Sequence, residues 1–186
     1  VWLLCRNQER GEQALAQIIQ QTGNAKVSLH QVDVSELESV AAFLEKSRPE
    51  KVDVLVHNAG VLLREPGTNS SGVELTLATN IVGPVALTSG LLPALERGES
   101  PRIVWVSSGG MYTQRLSVVD LENPPGKFDG VKAYARTKRA MVVLSEQLAE
   151  RLSCRGIAVH CMHPGWADTP GVQHSIPGFW RVTKSI

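Results

Sequence analysis

Five short runs dominated by apolar and β-branched residues, at 1–5, 27–34, 52–56, 103–106 and 157–162, alternate with longer segments whose apolar residues follow helical spacing. Runs of this kind predict strands buried on both faces, and helices between them predict a parallel sheet, because parallel neighbours need crossover connections. Helices are predicted at 9–21, 36–46, 73–95 and 133–152. Pro84 and Pro93 should break or kink the third, since proline carries no N–H for the helical ladder. The expected fold is α/β: a Rossmann-like, doubly wound parallel sheet with helices on both faces. No repeat, low-complexity tract or linker divides the chain, so residues 1–186 are read as one domain.

Composition narrows the function classes. With 20% charged residues and a formal net charge of +1, no general attraction to nucleic acid or to a membrane surface is implied. Cys5, Cys154 and Cys161 are too few and too irregularly spaced for a disulfide framework or a zinc site. Their odd count fits a reducing compartment, with the cytoplasm as default. The apolar stretch 81–95 contains Gly83, Pro84, Thr88 and Ser89 and falls short of the roughly 20 residues that cross a bilayer, so no membrane span is expected. Asn69-Ser70-Ser71 matches a glycosylation sequon, but such triplets arise by chance and this one is disfavoured.

In a doubly wound sheet ligands bind beyond the carboxyl ends of the strands. The residues there are Arg6-Asn7, Asp33, Asn58-Ala59-Gly60, Ser107-Ser108-Gly109-Gly110 and Pro164-Gly165, each of which, alone, reads equally well as a turn former. Tyr134 and Lys138 are four apart in a helical pattern and share a face. Tyrosine is a poor base at neutral pH, and a neighbouring ammonium favours its phenolate. The other tyrosine, Tyr112, has Leu116 at the same offset. Ser107-Ser108 puts a hydroxyl where it can bond a substrate carbonyl. The Gly-x-Ser-x-Gly elbow of an α/β hydrolase is absent, which disfavours a serine hydrolase.

Taken in order, Asn58-Ala59-Gly60 after a strand, Asn80, Ser108, Tyr134, Lys138 and Pro164-Gly165 resemble the short-chain dehydrogenase/reductase family over essentially the whole chain. Cys5-Arg6-Asn7, the segment 106–111 and the segment 162–170 are similar to the retinol-dehydrogenase-like branch. The resemblance implies an oxidoreductase that moves hydride between a nicotinamide cofactor and a carbonyl or alcohol. Tyr134 would be the general acid/base and Ser108 the carbonyl-orienting donor. Lys138 would lower the phenol pKa and bond the nicotinamide ribose, and Asn80 would hold a water of a proton relay. The cofactor would further meet Arg6, Asp33, Asn58, Ala59, Gly60, Pro164, Gly165 and Thr169. Asp33 would bind the adenine amino group; alternatively it starts the next helix, with Ser35 as another capping candidate. No metal is implied.

Arg6 stands where NAD-preferring relatives carry an acid, and a guanidinium there can hold a 2′-phosphate, so NADP(H) is favoured over NAD(H). His57 stands where family members usually have asparagine and is read as a packed strand residue with a local hydrogen bond. The sequence contains neither Gly-x-Gly-x-x-Gly nor the family's Gly-x-x-x-Gly-x-Gly turn. The family order 3-2-1-4-5-6-7 therefore implies an incomplete sheet, without the family's first strand and carboxyl-terminal strand. It also implies a gap between the first and third strands seen here.

The long Ser108-to-Tyr134 separation brings in Leu116, Val118, Val119, Pro124, Pro125 and Phe128. They read either as the border of a hydrophobic pocket or as a loop packed on its own core. The expected partner is a small hydrophobic carbonyl or alcohol, with a homo-oligomer and an amino-terminal membrane attachment also known among relatives. The competing class is a non-catalytic or truncated dehydrogenase-fold isoform acting as a binding protein.

Overall fold

In a computed structural model, residues 1–122 and 127–165 are described. All five expected strands form: β1 (Trp2–Cys5), β2 (Ser28–Gln31), β3 (Val54–His57), β4 (Arg102–Val106) and β5 (Ala158–Met162). The helices are α1 (Gln8–Thr22), α2 (Leu37–Ser47), α3 (Leu75–Leu77), α4 (Gly83–Leu95), α5 (Val119–Glu122) and α6 (Gly130–Leu152). Every ladder is parallel, with β1 on β2 in one group and β3, β4, β5 in that order in the other.

The expected gap is present, since no ladder joins β1 to β3 among the described residues. On β3, His57 is buried while Val54 and Val56 are about half exposed, at 48% and 53%. Alternation along a strand assigns them to the opposite face. The other face of β3–β5 is well covered. There Ile103, Trp105, Leu87, Leu91, Leu95, Met141, Leu152 and Ile157 form one buried cluster between the sheet and helices α4 and α6. Around β1–β2 helices lie on both faces: a Cβ on Gly11 of α1 would meet Leu29 and Cys5, while Phe43 of α2 packs edge-on against Trp2 and His30.

Local signals explain most boundaries. Asn7 caps α1 by accepting from the Arg10 N–H at 2.9 Å, and Gly23 ends it in the left-handed region, φ 69°. The capping expectation for α2 fails. Asp33 spends Oδ1 on the Ser35 N–H and hydroxyl, and the helix starts one residue after Glu36, which makes no side-chain cap. The Glu36 carboxylate instead binds Ser70.

Of the break or kink expected at the prolines, the break does not occur. Helical structure runs unbroken from Leu75 to Leu95, with a π-helical turn at Ala78–Val82 just before Pro84. The α-helical partner of the Asn80 carbonyl would be residue 84, which has no N–H. The turn widens there, with the Gly83 N–H bonding Ala78 O, and the helix continues through the proline. Pro93 lies near the end of the helix, where it omits the single bond its N–H would make to the Ser89 carbonyl without ending the helix. A Cβ on Gly83 would lie 1.6 Å from the Val34 carbonyl oxygen, so glycine is required for this helix to approach the β2–α2 connection.

Because the helix begins at Leu75, it is longer than the apolar stretch in the sequence. At 21 residues and mean hydropathy 1.5 it is long and apolar enough to cross a membrane, and 56% of it is buried inside the fold as a core helix. The sequon is engaged: Asn69 is buried, donating from Nδ2 to Ser35 O at 2.8 Å and accepting from Ser71 and Val73 at Oδ1.

His57 behaves as the packed residue expected. Its Nε2 is 2.7 Å from Thr88 Oγ1 of α4, and its ring lies 4.3 Å from that of Trp105. Burial pushes its pKa down to about 3. The folded state therefore holds a neutral imidazole where the unfolded chain protonates near the ordinary value of 6.5. Stability from this residue is full above pH 6.5 and falls as pH drops toward 3, by about 1.4 kcal/mol per pH unit at the steepest. Urea midpoints measured from pH 7.5 to 4 should show that slope, and His57→Asn, which keeps a donor for Thr88, should flatten it.

Candidate active site

The carboxyl ends of β3 and β4 and the first half of α6 converge. Asp129 caps α6 by accepting from the Lys132 N–H at 3.1 Å, which sets the helix phase and turns Tyr134 and Lys138 toward the end of β4. Of the two serines after β4, Ser107 is buried and donates to the Lys138 carbonyl at 2.9 Å, tying strand to helix. Ser108 faces the open side, where its Oγ accepts from the Gly110 N–H at 3.3 Å. A methyl built on Gly110 would lie 3.8 Å from both Ser108 Oγ and Tyr134 Cε1, so the Ser108 hydroxyl and the edge of the Tyr134 ring approach the same point.

Lys138 is only 3% exposed. Its Nζ donates to Val106 O at 2.8 Å and lies 5.5 Å from the Tyr134 ring centroid. Burial pushes its pKa down to about 8, partly opposed by nearby Cys161. It is thus still mainly an ammonium at neutral pH. Gly60 makes this placement sterically open: a Cβ there would sit 3.2 Å from Lys138 Nζ and 3.4 Å from Asn80 Oδ1.

Asn80, fully buried in the π turn, accepts from the Val61 N–H at 2.9 Å and donates to Thr137 Oγ1 at 2.9 Å and Val61 O at 3.3 Å. Its side chain is committed to bridging the loop after β3 to α6. Sequence reasoning named Ser107 only together with Ser108, as a hydroxyl at the carboxyl edge of the sheet, and did not single out Thr137. A threonine within a helix carries no local signal, and only the fold shows what these two hydroxyls bind.

Asn58, Ala59 and Gly60 are exposed after β3. At the other end, Arg6 and Asp33 come together after β1 and β2, with Arg6 Nε 3.8 Å from Asp33 Oδ2 and the Arg6 side chain 63% exposed. Pro164 and Gly165 follow β5 and are exposed, with Gly165 at φ 80° and its N–H bonded to His163 Nδ1 at 2.9 Å. Thr169, Pro124 and Pro125 lie outside the described residues. Val118 and Val119 are 71% and 74% exposed, which excludes the reading that they pack inside the loop's own core. No group of side chains suited to hold a metal occurs among the described residues.

A parallel α/β sheet with serine, tyrosine and lysine gathered at its carboxyl edge has the architecture of a dinucleotide-type fold. A family model described as short chain dehydrogenase matches residues 1–177, and the chain belongs to that family. It is 42% identical over 180 residues to human dehydrogenase/reductase SDR family member 12, covering 96% of this chain and 56% of that protein. It is 32% identical over 199 residues to mouse retinol dehydrogenase 13, covering all of this chain and 60% of that protein. The chain thus spans little more than half the length of these relatives. Among solved structures, an uncharacterized protein from Mycobacterium paratuberculosis superposes with a TM-score of 0.76 at 29% identity, covering 91% of this chain and 60% of that one.

Proposed function

We propose that this chain carries the catalytic centre of an NADP(H)-dependent oxidoreductase acting on a small hydrophobic carbonyl or the corresponding alcohol. The observation behind this reading is the approach of the Ser108 hydroxyl and the edge of the Tyr134 ring to the same point, with the buried Lys138 ammonium behind the phenol. The nicotinamide group, when bound, supplies or accepts the hydride.

The residues present suit the two ends of such a cofactor. Gly60 leaves open the approach that a Cβ would fill beside Lys138, and the exposed Arg6 guanidinium suits a 2′-phosphate. In carbonyl reduction the Ser108 hydroxyl donates to the carbonyl oxygen, and the Tyr134 O–H gives that oxygen its proton. The Lys138 ammonium then faces the resulting phenolate and lowers the cost of forming it. In alcohol oxidation each proton moves back along the same path. Asn80 acts through structure: its side chain is committed, so a relay water would rest on its backbone carbonyl, which Pro84 cannot serve.

The exposed Val118 and Val119, with half-buried Leu116 and Phe128, are the apolar border we assign to the substrate. The unpaired Cys5, Cys154 and Cys161 fit a reducing compartment such as the cytoplasm.

Replacing Tyr134 by Phe removes the ionisable hydroxyl and keeps the ring. Turnover of an aldehyde with NADPH by the full-length protein should fall by at least about 100-fold while NADPH affinity changes little. Near-normal turnover in that variant would remove Tyr134 from the chemistry.

Arg6 is tested separately through the cofactor. A charge-assisted hydrogen bond contributes roughly 1.5–3 kcal/mol, so Arg6→Ala should weaken NADPH about ten- to a hundredfold and NADH far less. Fluorescence titration of both cofactors reads this directly, and equal losses would show that Arg6 does not read the 2′-phosphate.

A further inference from the structure

Two helices reach the site from distant parts of the chain, and one hydroxyl joins them. Thr137, 2% exposed, lies between Tyr134 and Lys138 on α6. Its Oγ1 accepts from Asn80 Nδ2 at 2.9 Å and donates to the Tyr134 carbonyl at 2.8 Å. The amide of Asn80 is the only donor of that pair whose direction is fixed, so the threonine proton goes to Tyr134. Asn80 in turn takes the Val61 N–H at 2.9 Å. A continuous chain of hydrogen bonds therefore runs from the loop after β3, through the π turn, to the turn of α6 that carries the phenol and the ammonium.

A threonine that bonds back to its own helix needs no outside donor. The Asn80 contact is an addition, and it fixes the spacing between the two helices where that spacing counts. Asn80 Oδ1 and Lys138 Nζ both press on the Cβ position of Gly60, at 3.4 and 3.2 Å. From the other side Ser107 holds the Lys138 carbonyl at 2.9 Å. The reactive turn of α6 is thus gripped between β4 and the π turn, and Thr137 is the hydroxyl through which the second grip acts.

The geometry points to Thr137 as a positioning residue: it holds the Tyr134–Lys138 turn against Asn80, keeping phenol and ammonium aligned with Ser108. This rests on reading the site as an oxidoreductase centre. Without the hydroxyl, Asn80 keeps its Val61 partners and the fold keeps its core, while the seam beside Lys138 opens to water. Catalytic alignment is sensitive to shifts of this size.

The test uses the full-length protein with nonanal and NADPH, and a second readout that needs no turnover. Thr137→Val, nearly isosteric, should lower kcat about tenfold and leave KM for NADPH within about twofold. NMR of lysine labelled at 13Cε, with Lys138 assigned through Lys138→Arg, should show its titration midpoint rising from about 8 toward the ordinary lysine value. Thr137→Ser, which keeps the hydroxyl, should restore both quantities. If the valine variant does not fold, Thr137→Ala must give the same two changes.

A folded variant with unchanged kcat and an unmoved Lys138 midpoint overturns the proposal, as does a loss that serine fails to restore. If the wild type oxidises no NADPH with aldehydes yet Lys138 moves as described, the oxidoreductase reading fails and the positioning role stands.

Discussion

A charged ammonium that is almost fully buried must be satisfied or it will not stay charged. The structure meets that demand for Lys138 from four directions. The Val106 carbonyl accepts its proton, the Tyr134 ring lies alongside, Gly60 leaves room, and Asn80 closes the space next to it. Those residues come from the loop after β3, the π turn, the end of β4 and α6, so the position of one ammonium constrains how these four parts come together. Ser107 completes the arrangement by fixing the Lys138 backbone to the end of β4.

The same constraint accounts for the irregular middle of the long helix. Asn80 must be buried and its side chain must reach both Val61 and Thr137, which a regular α-helix ending in Pro84 would make harder to satisfy. The π turn at Ala78–Val82, just ahead of the proline, lets the helix continue and places Asn80 in the seam. Pro84 and Asn80 are thus parts of one local solution. Gly83 lets the helix lie against the Val34 carbonyl, so the β1–β2 half is docked to the β3–β5 half through helices rather than through a continuous sheet.

Much of this was legible in the residues. Strands were marked by β-branched runs, and the carboxyl edge of the sheet by the small polar residues that follow them. Tyr134 and Lys138 announced themselves by their offset of four, and the family order anticipated the gap between β1 and β3. What escaped was non-local. The prolines signalled a break because local rules see only the lost N–H, whereas packing against the sheet holds the helix together across a π turn. Asp33 and Ser35 looked like caps for α2 but bond each other, since Glu36 and Asn69 tie that loop to residues more than thirty positions away. Thr137 gave no signal, and which of Ser107 and Ser108 turns inward could not be read, because the partners of Thr137 and Ser107 lie 57 and 31 residues distant.

In the proposed reaction Tyr134, Ser108 and Lys138 surround the point where hydride and proton reach a carbonyl group. The most direct measurement follows the hydride itself. The full-length protein is given an aldehyde and NADPH carrying deuterium at one or the other face of nicotinamide C4, and the alcohol formed is analysed by mass spectrometry and NMR. The account predicts deuterium on the carbinol carbon from one face only, at a rate that collapses when Tyr134 is replaced by Phe. Alcohol formed without deuterium from either face, or transfer that proceeds equally well without the Tyr134 hydroxyl, would contradict it.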